Sequence, residues 1–367
     1  MEITAAVLRS KSGPYELEQV ELAEPRPHEV LVRIVAAGMC HTDLIPRSDF
    51  SFAPPPIITG HEGAGVVVAT GSAVRSVSAG DHVVLSFDSC GECERCVAGQ
   101  PAYCETMTAR NMVGRRLDQS TGVTDASRAE VASRWFGQSS FATYAIATER
   151  NVVRVDPALP LAKLGPLGCG MQTGAATVLV ALAVQPGASV VVFGVGAVGM
   201  ASVMAAKVAG ASSIIAVDVH DHRLQLAREL GATHTINGGS GDLLEAILTL
   251  TSGGVRHAID TTAVPSVMLT AIDCLKPGGS CAFVAYPTEA LNIHPLRMAG
   301  KTVSFVVQGG ANPQTFIPRM LELWQAGRFP FDRLIEEYPL DQINNAEADS
   351  MSGRVIKPVL LVSESPM

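Results

Sequence analysis

Four cysteines crowd into CGECERCVAGQPAYC, residues 90–104, at Cys90, Cys93, Cys96 and Cys104. Thiols spaced C-x2-C-x2-C, with a fourth after a further short stretch, could do redox or nucleophilic chemistry or ligate a metal. A second, scattered set offers something different: Cys40 in AAGMCHTD, His61 beside Glu62 in TGHEGAG, and Cys169 in PLGCGMQTG. Two thiolates and one imidazole occupy three positions of a tetrahedral zinc and leave the fourth open, as a catalytic site requires. Four thiolates close the coordination sphere. A lone buried cysteine is usually a small hydrophobe. Here each candidate is flanked by glycines, and Cys169 stands at the entrance to a glycine-rich segment.

That segment is GVGAVG, with Gly194, Gly196 and Gly199 at G-x-G-x-x-G spacing. The first glycine permits a tight turn, the second lets backbone approach a pyrophosphate, and the third lets a helix pack on a strand. The pattern alone is weak, but an apolar strand precedes it and an alanine-rich helix follows. Asp218 then ends the next strand. A carboxylate there can accept hydrogen bonds from the adenosine ribose and repel a 2′-phosphate, which favours NAD over NADP. Arg223, close behind with His220 and His222, either sits near that ribose or is a solvated helix-face residue.

Such residues need two kinds of support. The first 160 or so residues are β-rich, as in EVLVRIVAAG (29–38) and GAGVVVATG (63–71), β-branched runs bounded by glycine and proline. From about 171 the texture changes to strands alternating with helices: SVVVF (189–193), SIIAVD (213–218), HAIDTT (257–262), SCAFVA (280–285) and TVSFVV (302–307). Between them lie helices such as DHRLQLARELGA (221–232), and KPGG (276–279) reads as a turn. This alternation predicts an α/β, doubly wound parallel sheet. The change of texture divides the chain into a β-rich part over 1–170 with its cysteine lobe at 90–104, an alternating part over 171–306, and a mixed C-terminal segment over 307–367. That segment includes a helix, QTFIPRMLELWQAG (314–327), and the charged stretch 115–134 reads as an exposed loop.

At 367 residues the chain is too long for one ordinary core, and 47% hydrophobic content with 34 glycines suits a globular protein. A formal charge of −8 argues against a nucleic-acid partner, which needs a clustered basic face. The uncharged run 188–206 reads as strand, turn and helix rather than a membrane span, and MEITAAVLRS does not read as a secretory signal. The cytoplasm is therefore the expected compartment. There, reduced cysteines favour metal ligation or catalysis over disulfides.

Taken together, GMCHTD, TGHEGAG, the four-cysteine lobe, GCGMQTG, GVGAVG and SGRVIKPVL resemble the zinc-dependent medium-chain alcohol dehydrogenases in order and spacing, over essentially the whole chain. CHTDL followed by an aliphatic residue, with GCGMQTG, looks most like the aryl-alcohol (benzyl alcohol) branch. The resemblance implies a GroES-like catalytic zinc domain over 1–170, a Rossmann NAD-binding domain over 171–306, a C-terminal return to the catalytic domain over 307–367, two zincs per chain and a homo-dimer or homo-tetramer joined by strand pairing. It also implies a small alcohol or aldehyde as substrate. Cys40, His61 and Cys169 would hold the catalytic zinc, which as a Lewis acid would lower the pKa of an alcohol and let hydride pass to NAD. The four-cysteine lobe would hold a structural zinc.

Resemblance and chemistry also suggest roles nearby. Thr42 would hydrogen-bond the alcohol oxygen and begin the proton's exit, Asp43 would orient His61, and Glu62 would be a carboxylate near the zinc. His41 and Lys357 match cations that reach the cofactor pyrophosphate, and Thr173 a residue packed on the nicotinamide. In many relatives a histidine three residues after the relay hydroxyl continues the proton path; this chain has Ile45. Phe52, Phe141 and Tyr286 are either pocket or core residues, and Cys274 and Cys281 are expected to be small core hydrophobes.

Overall fold

The computed structural model describes residues 1–287 and 289–363. It divides into two units. The first comprises Met1–Cys169, Asn312–Pro318 and Asp332–Met367; the second comprises Gly170–Ala311 and Arg319–Phe331.

In the first unit the long strand Glu29–Gly38 is the organiser. It pairs antiparallel with Glu62–Thr70, with Tyr144–Thr148 and with the C-terminal strand Lys357–Leu361. Gly38 lies opposite Glu62 on one side and Val359 on the other, so the register delivers Lys357 to the neighbourhood of Glu62. A smaller sheet contains Glu2–Leu8, Tyr15–Leu22, Ile57–Ile58 and Val123–Thr124. Buried Val, Ile and Ala side chains of both sheets share one core with Trp135, Phe136 and Phe141.

The stretch 115–134 is only in part the exposed loop expected of its composition: residues 117–119 and 126–130 are exposed, but Arg116 bonds Glu29, and Arg134 is buried with its guanidinium on the Ile146 carbonyl. Val123, Val131 and Ala132 are core residues. Inward partners for these two arginines override their polar setting.

The second unit is built on a six-stranded parallel sheet. Its order is His234–Asn237, Ser213–Asp218, Ser189–Phe193, Val255–Asp260, Leu275–Phe283 and Thr302–Phe305. The strand order reverses between Ser189–Phe193 and Val255–Asp260, the switch point where such sheets bind ligands outside the carboxyl ends of their strands. Val190, Val191 and Val192 have no exposure, as expected of strands covered on both faces.

Two details differ from expectation. KPGG is not a turn before a strand but part of Leu275–Phe283. The register against Val255–Asp260 slips there, and Gly278 takes φ +76. The excursion is a bulge, which glycine at positive φ permits. His234–Asn237 is a strand that its short, polar sequence does not announce. Among the described residues no helix is long and apolar enough to cross a membrane.

Candidate active site

The first donor cluster is assembled from three separated places in the first unit. Cys40 precedes the short helical turn His41–Arg47, His61 and Glu62 open the strand Glu62–Thr70, and Cys169 ends the turn Gly165–Gly168. That last turn lies hard against the sheet. A Cβ on Gly168 would come within 2.0 Å of the Leu85 carbonyl oxygen, and one on Gly165 within 2.2 Å of that of Glu62. Glycine at these positions lets Cys169 reach the other donors. One ligand atom from each of Cys40, His61, Glu62 and Cys169 lies within 4.8 Å of the rest.

Asp43 is the buried anchor. Its Oδ1 accepts from the Gly60 N–H at 2.9 Å and lies 2.7 Å from His61 Nδ1, while Oδ2 accepts from the Cys40 N–H at 3.1 Å. With Nδ1–H donated to that carboxylate, the imidazole presents the lone pair of Nε2 to the cluster. Nε2 is buried and has no hydrogen-bond partner. An unsatisfied buried nitrogen is costly, and a metal answers it in the way metal-ligating histidines are answered elsewhere, with the other nitrogen on a carboxylate. Two sulfurs complete a donor set that suits zinc and leaves a position open.

The electrostatics agree. The Cys169 thiol, and then His61 and Lys357, hold the Cys40 thiol well below its ordinary range despite burial. Burial opposes charge on His61, yet Asp43 and Cys40 outweigh it and hold the imidazole at about 10. Glu62 is pushed up to about 7 by burial, against the pull of Lys357. Lys357 Nζ donates to both Glu62 oxygens and to the Met39 carbonyl. Its ammonium is spent within the first unit, 1% exposed.

Thr42 is half-buried, its Oγ1 3.8 Å from Cys40 Sγ, and His41 beside it is exposed. Ile45 packs against the core. Phe141 is a core residue set edge-on to Tyr15, whereas Phe52 and Tyr286 are exposed. No motif points to Gln138, which grips the segment carrying His61: its amide donates to the His61 carbonyl at 3.0 Å and accepts from the Gly63 N–H at 3.1 Å. No spacing rule connects residues 77 apart.

In the lobe, Cys90, Cys93, Cys96 and Cys104 also bring four sulfurs within 4.8 Å of one another. The Cys93 and Glu92 N–H groups point at Cys90 Sγ, and the Cys90 N–H at Cys104 Sγ. Burial and the neighbouring thiols push Cys96 up to about 12. Cys104, which burial would raise, is held low by Thr106 and the Cys90 N–H. Like groups so close cannot all ionise without a shared cation, and four thiolates fit a closed zinc site. Cys274 and Cys281 are fully buried in the other unit's core.

In the second unit the three glycines each meet a distinct demand. Gly194 has φ +78, Gly196 faces open space with only Arg223 Nη1 at 4.0 Å, and a Cβ on Gly199 would overlap the Gly194 carbonyl oxygen. The helix Ala197–Val208 starts there, so its free N–H groups are available to a phosphate. Asp218 accepts from the Val195 N–H at 2.8 Å and the His220 N–H at 3.0 Å, with Arg223 Nη1 3.9 Å away. Thr173 is buried, its hydroxyl 3.5 Å from Gln308 Oε1.

A parallel sheet with a phosphate-ready glycine turn, and a separate β-rich unit carrying one open and one closed sulfur-rich cluster, define a metal-dependent nucleotide-linked dehydrogenase. The chain belongs to the zinc-dependent medium-chain alcohol dehydrogenase family. Residues 26–157 match the alcohol dehydrogenase GroES-like domain and residues 197–326 the zinc-binding dehydrogenase domain. The geraniol dehydrogenase of Castellaniella defragrans is 44% identical over 97% of both chains. An alcohol dehydrogenase zinc-binding domain protein from Burkholderia ambifaria is 47% identical, with a TM-score of 0.96 over 99% of this chain and 100% of that one. The benzyl alcohol dehydrogenase of Acinetobacter calcoaceticus is 42% identical, with a TM-score of 0.95 over the same shares. The protein is a zinc-dependent alcohol dehydrogenase, and NAD is the cofactor typical of its family.

Proposed function

We propose that the enzyme oxidises primary aromatic or allylic alcohols reversibly to aldehydes, passing hydride to NAD. The observation that carries this reading is the open Cys40–His61–Cys169 donor set, with the orphaned His61 Nε2 aimed into it and Thr42 alongside. The substrate class follows two similar enzymes, which by name act on geraniol and benzyl alcohol. Cys40, His61 and Cys169 would hold the zinc, whose Lewis acidity makes an alcohol hydroxyl acidic near neutral pH.

The chain supplies the rest. Thr42 accepts the alcohol's proton through a hydroxyl that both donates and accepts. Asp43 fixes the His61 tautomer. Ile45 offers no titratable group to carry the proton onward, so it leaves by another path. Backbone N–H groups at Gly194–Gly199 receive the pyrophosphate, and Asp218 receives the ribose and disfavours a 2′-phosphate. His41 is an exposed cation for the pyrophosphate, and Thr173 packs on the nicotinamide. Lys357 reaches the cofactor only by leaving Glu62. The four-cysteine lobe stiffens the first unit when zinc-loaded.

The reading extends to a cytoplasmic homo-dimer or homo-tetramer. The assembly part of it is supported by the sheet-edge strand Thr302–Phe305, whose Thr302, Ser304 and Phe305 are exposed. The test is a panel of benzyl alcohol, geraniol, octanol and 2-butanol with NAD and NADP, run with metal analysis. The reading expects two zincs per chain and highest kcat/KM for the first two alcohols with NAD. Preference for octanol or 2-butanol would transfer it to the aliphatic or secondary class. No turnover of any primary alcohol by fully metallated protein would end it.

A further inference from the structure

Phe136 holds an uncommon backbone conformation, φ 50 and ψ 35. This left-handed region is easy for glycine and costly for a bulky side chain, which persists there only when its surroundings hold it. Its ring stacks on the imidazole of His61, with centroids 4.5 Å apart and planes inclined by 29°. Trp135 meets the Phe136 ring edge-on at 5.5 Å.

The turn that carries Phe136 is bound to the segment that carries His61 at every step. Ser139 Oγ donates to the Ile58 carbonyl at 2.6 Å, the Ser140 N–H to that of Gly60 at 2.8 Å, and the Phe141 N–H to that of Thr59 at 3.0 Å. Gln138 holds the backbone just after the His61 ring, through the His61 carbonyl and the Gly63 N–H. Asn151 Nδ2 secures the turn from behind through the Phe136 and Gly137 carbonyls. Asp43 fixes which nitrogen of His61 faces the cluster, but a single hydrogen bond at Nδ1 leaves the ring free to rock about that axis. A flat ring on its face removes this freedom.

We propose that Phe136, held over the His61 imidazole by its left-handed backbone and the hydrogen-bonded turn 135–141, is a positioning residue that keeps Nε2 aimed at the catalytic metal. The inference rests on the reading of Cys40, His61 and Cys169 as metal ligands. A residue that merely filled the core would be replaced well by leucine, which is apolar and adaptable but cannot stack.

The test compares wild type with Phe136→Leu and Phe136→Tyr, each loaded with zinc and, separately, with cobalt(II) in the catalytic position. Phe136→Leu is expected to lose catalytic metal to a chelator about tenfold faster, the lower end for loss of a ligand-orienting partner, and to shift the cobalt d–d bands. The lobe should keep its zinc, and Phe136→Tyr should restore both readouts. An unchanged rate and spectrum in Phe136→Leu would overturn the inference alone, as would equal loss of metal from both sites, which signals general loosening. Wild type that takes up one metal, in the lobe only, would overturn the ligand reading and the inference with it.

Discussion

Lys357 and Glu62, 295 residues apart, form a fully buried ion pair in which the ammonium contacts both carboxylate oxygens at 3.0 and 2.9 Å. The carboxylate also lies against Gly38, where a Cβ would sit 2.1 Å from Glu62 Oε2. Burying both charges is expensive, but removing one partner is worse, because the other is left uncompensated. Lys357→Met in the zinc-loaded protein is therefore expected to cost about 3–5 kcal/mol in urea unfolding. Adding Glu62→Gln should recover most of that loss. Additive losses would show that the pair is not the stabilising unit.

The hydroxyl of Thr42 lies 3.8 Å from the sulfur of Cys40, one of the catalytic metal's donors in this reading. Thr42→Val keeps the shape and removes donor and acceptor together. Turnover should fall about 10²–10⁴-fold, the usual share of a positioned proton acceptor, with NAD binding by fluorescence titration nearly unchanged. Retained turnover would take Thr42 out of the proton path.

Asp43 touches no substrate in this reading and acts through His61. Asp43→Asn keeps the volume but removes the charge that holds Nδ1 protonated, and it can present the wrong group to the ring. The catalytic zinc should bind about 10–100-fold more weakly, while the lobe zinc stays. A chelator competition that resolves the two metals reads this directly; identical retention in variant and wild type contradicts it.

Away from the metals, Glu29 sets an acid limit. Arg116 meets it at 2.6 and 2.9 Å, and the Arg26 N–H at 3.0 Å. Burial alone would raise its pKa, yet Arg116 and Arg134 hold it below the ordinary 4.5. A carboxylate depressed in the folded state stabilises the fold above its unfolded pKa, and that contribution is lost as pH falls through the folded value. Arg116→Met should thus lower urea stability at about pH 7 and flatten its decline below about pH 4.5. Parallel stability-versus-pH curves would say the pair is inert.

How much of this was readable in the chain varies with the physics behind each feature. The strands Ser189–Phe193 and Ser213–Asp218 were legible to the residue, because buried parallel strands are unbroken apolar runs. Gly194, Gly196 and Gly199 were legible because each answers a steric demand that only glycine meets. Metal donors were legible from residue type and company. What stayed hidden depends on partners distant in sequence. Arg116 and Arg134 look like loop charges until Glu29 and the Ile146 carbonyl receive them. The ion-pair partner of Lys357 is hidden until the strand register brings it to Glu62. Phe136 and Gln138 carry no spacing signal toward His61, and the left-handed backbone of a phenylalanine cannot be read from its letter.

Asp218 gives a test of cofactor choice that separates charge from architecture. Its Oδ2 accepts from Val195, inside the glycine turn, and its Oδ1 from His220. Alanine there would remove the negative charge and loosen the turn together, so a changed NAD preference would have two explanations. Asp218→Asn removes the charge and keeps one carbonyl acceptor for the Val195 N–H. If repulsion of a 2′-phosphate sets the preference, this variant should raise kcat/KM with NADP about tenfold, worth about 1.4 kcal/mol. Efficiency with NAD should fall less than in Asp218→Ala. A drop with both cofactors and an unchanged ratio would mean that the carboxylate shapes the turn and does not select the nucleotide.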